Sequence, residues 1–230
     1  MDASTVRVWE KYGHSAPYWS VLHDPRFTPD SLTENPDNIN IFFQTGVDMV
    51  REIDDKLKRL GEGFNGTIVD FGCGTGRLVK GLQSLSTVTD IHGLDISNSH
   101  LEEAKKNCPD AYFYQITNSE LPDGLPEEYD GVISLIVLQH NKPWVMKHWI
   151  KKLLGGLRPG GVAVLQIPHE LPASRIAQND KHGSIQMWAL EKDCVRDICN
   201  NTNCSVIMEE DGKMVSPGEA DTIYYIRRNS

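Results

Sequence analysis

Between positions 39 and 60 the apolar residues Ile39, Phe42, Phe43, Val47, Val50, Ile53, Leu57 and Leu60 recur at steps of three and four. That period predicts an amphipathic helix, and Gly61 and Gly63 mark its end. A shorter helix is predicted near residues 3–12. Pro17, Tyr18, Trp19, Pro25, Phe27, Pro29 and Pro36 fill the stretch between the two, which reads as a long loop of the kind that serves as a lid or binding segment. From Thr67 onward the pattern changes. Apolar runs starting at 68, then at 91–97, 111–116, 127–140, 157–168, 204–210 and 221–228, alternate with helical stretches. By the right-handed crossover rule they build a mostly parallel sheet with helices on both faces. The chain reads as one α/β domain over 1–230, with a helical cap at 1–63 and a doubly wound core at 64–230.

The first apolar run passes through Asp70 into Gly72, Cys73, Gly74, Thr75 and Gly76, and a helix follows. Glycines at alternate positions suit a backbone that turns tightly, exposes N–H groups and lets a ligand approach with no Cβ in the way. Asp95 ends the second run. An acidic residue about 20 positions after such a turn reaches the ribose hydroxyls of a bound nucleoside. A strand-end Asp also caps a following helix, here through residues 97–99. Cys73 suits the turn as a small residue beside the ligand better than as a nucleophile. The dinucleotide fingerprint is G-x-G-x-x-G; this chain has G-C-G-T-G preceded by a carboxylate. Asp70 would repel a pyrophosphate and favour a ligand carrying positive charge.

This wording resembles the first motif of class I S-adenosylmethionine-dependent methyltransferases. The late run Leu157, Arg158, Pro159, Gly160, Gly161 resembles another signature of that family, and the matches span roughly 66–168. The resemblance implies a Rossmann-like, doubly wound, seven-stranded, mostly parallel sheet whose last strand is antiparallel. It implies S-adenosylmethionine as cofactor and S-adenosylhomocysteine as product. The turn around Gly72 and Gly74 would meet the methionine portion, with Asp70 orienting the turn or, through a water, the ammonium. Asp95 would accept bonds from the ribose, and Ile96 would pack on adenine. Thr117, Asn118 and Ser119 stand where relatives carry an acidic residue near the adenine amino group, and the Leu135 carbonyl would face the ammonium.

The implied reaction is an in-line displacement at the sulfonium methyl, so the protein aligns an attacking lone pair and, for a hydroxyl, removes its proton. His140 is the first candidate general base and His169 the second, since imidazole titrates near neutrality. Tyr12, His14, Tyr18 and Trp19 form a candidate lid over the acceptor, or equally the core of the cap. No Asn or Asp followed by Pro-Pro and an aromatic follows the fourth strand, and no carboxylate lies between 131 and 144. A metal-independent transfer to a small molecule, most readily at a hydroxyl, is the reading that remains. A small amine is the close alternative acceptor. A non-catalytic cofactor-binding partner protein is a second class, and a nicotinamide-dependent reductase is disfavoured by the turn and by Asp70.

Composition narrows the partners. At 230 residues with a formal charge of −9, the chain has length for one substantial core and no long-range attraction to nucleic acid. Lys147, Lys151, Lys152 and Arg158 read as a solvated helix face. Five cysteines include the evenly spaced Cys194, Cys199 and Cys204, but positions five apart do not share a helix face, so no metal is expected. The longest apolar run falls short of a membrane span and the first residues do not make a secretory signal, so a cytoplasmic location is expected.

Overall fold

The computed structural model describes residues 3–176, 185–212 and 220–230. The cap is helical throughout much of the stretch read as a loop, which corrects that expectation. Helix α1 (Ala3–Ser15) is followed by α2 (Pro17–Val21), a 3-10 turn (Pro25–Phe27), α3 (Pro29–Glu34) and α4 (Asn38–Arg59). Pro17, Pro25 and Pro29 open their elements, where a missing N–H leaves no bond unmade and the fixed φ already matches the helix. Asp24 and Thr28 cap two of them by accepting from Arg26 N and Ser31 N. A proline-rich composition therefore marks helix starts here.

The periodic helix α4 buries Phe42, Val50, Ile53 and Leu57, whereas Leu60, at its C-cap, is exposed. Each fully buried side chain of this size contributes about 1.5–3 kcal/mol. Gly46 lets the helix rest on backbone: a Cβ there would lie 2.0 Å from the Arg77 carbonyl oxygen of α5 (Arg77–Leu82). Asp54 ties the end of α4 to the chain entering the sheet, accepting from Phe64 N at 2.8 Å and pairing with Lys58 Nζ at 2.6 Å.

The strands are β1 (Gly66–Phe71), β2 (Val88–Asp95), β3 (Tyr112–Gln115), β4 (Tyr129–Ser134), β5 (Leu157–Glu170), β6 (Cys204–Asp211) and β7 (Ala220–Arg228). They form one seven-stranded sheet in the order β3-β2-β1-β4-β5-β7-β6, with six strands parallel and β7 antiparallel to both of its neighbours. Helices α6 (Asn98–Asn107), α7 (Pro143–Gly155), α8 (Ala173–Ile176) and α9 (Lys192–Asn201) occupy the connections. Strands covered on both faces read as unbroken apolar runs, as Ile68 and Val69 in β1 and residues 162–165 in β5 do.

The chain divides into two compact units, Val6–Leu125 and Pro126–Ser230 with Ala3–Thr5. In the first, β1 pairs with β2 so that Phe71 stands opposite Leu94, which brings the exits of both strands level. In the second, Tyr129 anchors β4: it is fully buried and its hydroxyl donates to the Leu153 carbonyl of α7 at 2.6 Å. Among the described residues no helix is long and apolar enough to cross a membrane.

Candidate active site

Gly72, Gly74 and Gly76 all have positive φ, at 81°, 52° and 89°, a region closed to most side chains. The turn they make is bonded into the protein. Gly72 N and Cys73 N both donate to the Leu94 carbonyl, at 2.7 and 3.0 Å, and Gly76 N donates to the Cys73 carbonyl at 2.9 Å. Gly74 N donates to Asp95 Oδ2 at 2.9 Å. The expectation that this turn exposes its N–H groups is therefore corrected for these four residues. A pyrophosphate depends on such donors; a phosphate-free ligand does not. The room at Gly74 is also taken, since a Cβ there would lie 2.5 Å from Val21 Cγ2 of α2. Cys73 is 3% exposed, and burial pushes its thiol well above the usual range, so it is a small uncharged side chain packed toward Gly93.

Asp70, at the end of β1, is 1% exposed and its Oδ2 has no hydrogen-bond partner. Burial pushes its carboxyl up to about 7, opposed by the nearby Arg77 guanidinium and reinforced by Asp95. Arg77 is itself 4% exposed; burial lowers it to about 10 against the pull of Asp70. Its Nη1 donates to Thr45 Oγ1 of α4 at 3.4 Å. The sequence reading missed Arg77, although its place directly after the glycine turn was a signal. A carboxyl that is a weaker acid when folded keeps a proton that the unfolded chain has already released between about pH 4 and 7. Stability contributed by Asp70 therefore falls as pH rises through that window and levels off above it. We expect wild type to lose on the order of 2–4 kcal/mol relative to Asp70→Asn between pH 4.5 and 7.5 in denaturant titrations. Parallel curves for the two proteins would refute this.

Asp95 holds the β2 exit. Oδ1 accepts from Ser97 N at 2.9 Å, alongside the Gly74 bond on Oδ2. The cap of α6 is Ser97 itself, whose hydroxyl accepts from His100 N at 3.2 Å. Each Asp95 oxygen retains a second lone pair direction. Ile96 is half-buried, with its carbonyl accepting from Gln115 Nε2 at 3.1 Å. Thr117, Asn118 and Ser119 are exposed, and the Asn118 side-chain oxygen accepts from Glu120 N at 2.6 Å.

The four candidate lid residues part company. Tyr12 and Trp19 share a cluster, with ring centroids 6.0 Å apart and Trp19 4.4 Å from His23. Tyr18 instead packs edge-on against Phe42 at 5.1 Å, in the core of the cap. His14 is exposed and lies 3.5 Å from Glu10. What fastens the cap was not read from the sequence: it docks on the turn that carries Asp95. A Cβ on Gly13 would lie 2.8 Å from Ser97 Oγ, and the Glu10 carboxylate accepts from the Ser99 hydroxyl. The Ser20 hydroxyl donates to the Pro17 carbonyl at 3.0 Å, so His100 Nε2, 2.8 Å away, donates to Ser20.

In the second unit the exit of β4 carries Leu135, 7% exposed, and Ile136, a β-branched residue at φ 63°. A 3-10 turn (Leu138–His140) follows. His140 Nδ1 lies 2.9 Å from the Gln186 carbonyl. A carbonyl only accepts, so Nδ1 carries a proton. His169, on β5, donates from Nδ1 to the Leu190 carbonyl at 2.7 Å and accepts at Nε2 from the Tyr224 hydroxyl at 3.1 Å. Burial lowers His169 and raises Tyr224, which keeps the imidazole neutral and the phenol protonated. One short segment serves both rings: Trp188 N donates to the Gln139 carbonyl at 2.7 Å and Leu190 N to the Pro168 carbonyl at 2.9 Å.

Known proteins resemble this chain in sequence and in fold. Residues 68–161 match the methyltransferase domain family. The trans-aconitate 2-methyltransferase of Delftia acidovorans is 31% identical over 103 residues, 44% of this chain and 37% of the relative. The chain spans less than half the length of the curated relatives it matches. Among solved structures, a magnesium protoporphyrin IX methyltransferase from Synechocystis PCC 6803 with bound S-adenosylhomocysteine superposes with a TM-score of 0.67 at 16% identity, covering 98% of this chain and 100% of that one. The N-methyltransferase NodS from Bradyrhizobium japonicum, also with S-adenosylhomocysteine, gives 0.65 at 14% identity, over 99% of this chain and 100% of that one. At those identities the structures speak for the fold. The glycine turn and its two carboxylates fall in or beside the segment that matches the methyltransferase domain family, and the whole chain shares its fold with S-adenosylmethionine-dependent methyltransferases.

Proposed function

We propose that this chain transfers the methyl group of S-adenosylmethionine to a hydroxyl of a small molecule, without a metal, and that His140 is the general base. The observation that carries the cofactor assignment is the buried Asp70 carboxylate, with an unpartnered Oδ2 beside a turn whose N–H groups are bonded internally. Such a site fits a cationic, phosphate-free nucleoside. The cofactor, when bound, supplies an electrophilic methyl on a sulfonium. Asp95 would hold the ribose hydroxyls through its second lone pairs, the turn at Gly72, Cys73, Gly74 and Gly76 would shape the methionine end, and Ile96 would cover adenine. Thr117, Asn118 and Ser119 would line the adenine edge, and the Leu135 carbonyl would accept from the ammonium. Tyr12 and Trp19 would screen the acceptor from water, with Tyr18 and His14 supporting the cap.

His140 is taken as the base for its place in the turn that follows β4. The Gln186 carbonyl fixes the proton on Nδ1, so the Nε2 lone pair is the one that takes the acceptor's proton. His169 has both nitrogens bonded within the fold, and its role is to hold the β5 exit. Trans-aconitate, named for the relatives, supports a second reading in which the acceptor is a carboxylate. A carboxylate is ionised at neutral pH and needs no base.

Calorimetric titration with S-adenosylmethionine, S-adenosylhomocysteine and NADH tests the cofactor, and a panel of hydroxyl, amine and carboxylate acceptors, trans-aconitate included, tests the reaction by product mass. We expect both sulfur nucleosides to bind and NADH not to. Binding of NADH alone, or of none of the three, would overturn the proposal.

A further inference from the structure

Ile136 is an exposed β-branched residue held at φ 63°, a conformation that the side chain resists and that persists only where neighbours impose it. The neighbour here is Gln166 of β5, whose Oε1 accepts from Ile136 N at 3.1 Å. Gln166 is 7% exposed, and its amide nitrogen donates to Asp221 Oδ2 on β7. Asp221 is 4% exposed and lies tight against the backbone at Gly212, where a Cβ would fall 1.7 Å from Oδ2. Strand pairing sets the chain of contacts in register, with Gln166 opposite Ile223 and Pro168 opposite Asp221. A buried carboxylate thus fixes the amide orientation, which presents the oxygen, not the nitrogen, to Ile136.

We propose that Gln166, braced by Asp221, is a positioning residue that holds the turn after β4 in its left-handed conformation and so sets the orientation of the Leu135 carbonyl, the group that the proposed function assigns to the cofactor's ammonium. The inference rests on the proposed cofactor reading. A left-handed Ile136 rotates the peptide planes on either side of it. Without the clamp the residue relaxes to negative φ and the carbonyl before it swings away. Cofactor binding then has to restore the strained turn, and affinity falls.

The test is the affinity for S-adenosylhomocysteine, by calorimetry, together with thermal stability. Gln166→Leu is expected to weaken binding about tenfold, and adding Ile136→Gly in that background to recover most of the loss, because glycine adopts positive φ unaided. Asp221→Asn, which keeps the shape and removes the charge of the brace, is expected to weaken binding about threefold and serves if Gln166→Leu does not fold. A merely structural role would lower the melting temperature with affinity unchanged. Affinity within twofold of wild type in the folded variants, or a loss that Ile136→Gly does not relieve, overturns the proposal. Absence of binding by wild type would instead overturn the cofactor reading.

Discussion

Asp95→Ala is expected to weaken S-adenosylhomocysteine binding about 100-fold or more. The carboxylate accepts from Gly74 N and Ser97 N, both at 2.9 Å, so it ties the glycine turn of β1 to the start of α6. Hydrogen bonds to a charged group contribute about 1.5–3 kcal/mol each. Truncation removes two such bonds that shape the site, together with those proposed to the ribose. Asparagine is no substitute, because its amide would set a donor against one of the two N–H groups. Calorimetry and a melting curve on the same preparation separate the possibilities. A drop in melting temperature with less than a fivefold change in affinity would reduce Asp95 to a turn residue. Cap residues share the outcome, since Gly13 and Glu10 pack on the same turn through Ser97 and Ser99.

His140→Ala is expected to lower kcat by 10²–10⁴ on a hydroxyl acceptor, the usual range for losing a general base, with KM for S-adenosylmethionine nearly unchanged. A neutral amine or an ionised carboxylate already offers its lone pair, and for these the loss should stay below about tenfold. The size of the effect on each acceptor class therefore reports the chemistry. A pH profile strengthens the distinction: hydroxyl methylation should fall on the acid side as the imidazole is protonated, and the variant should lose that limb. A small, pH-independent loss on a confirmed hydroxyl substrate would show that His140 is not the base.

Much of this was legible along the chain. Helix α4 was read to within a residue or so at each end, because a three- and four-residue apolar period is a local property of one helix face. The seven strands likewise lie on the apolar runs, but β4 stops at Ser134, and the end of the 127–140 run, read as the same strand, closes in the 3-10 turn that carries His140. The cap was misread between Pro17 and Pro36, where prolines that usually punctuate loops instead begin short helices. The glycine turn was located correctly and its chemistry partly misjudged. Positive φ at three glycines follows from the local chain, but what occupies the space beside Gly74 is Val21, 53 positions earlier in sequence (74 less 21).

The sequence by itself determined the strand and helix alternation, the turn at residues 72–76, and the carboxylates at the ends of β1 and β2. These features depend on neighbours within a few residues, where periodicity and backbone sterics act. Only the tertiary structure decided which charges meet, where the cap is fastened and which histidine nitrogen carries the proton. Glu10 and Ser99 stand 89 positions apart, Gln166 and Asp221 55, and His140 and Gln186 46. A pair at such separation leaves no periodic trace in the chain. The burial that raises Asp70 and the bonds that set the His140 tautomer exist only once packing has excluded water and fixed the partners in reach.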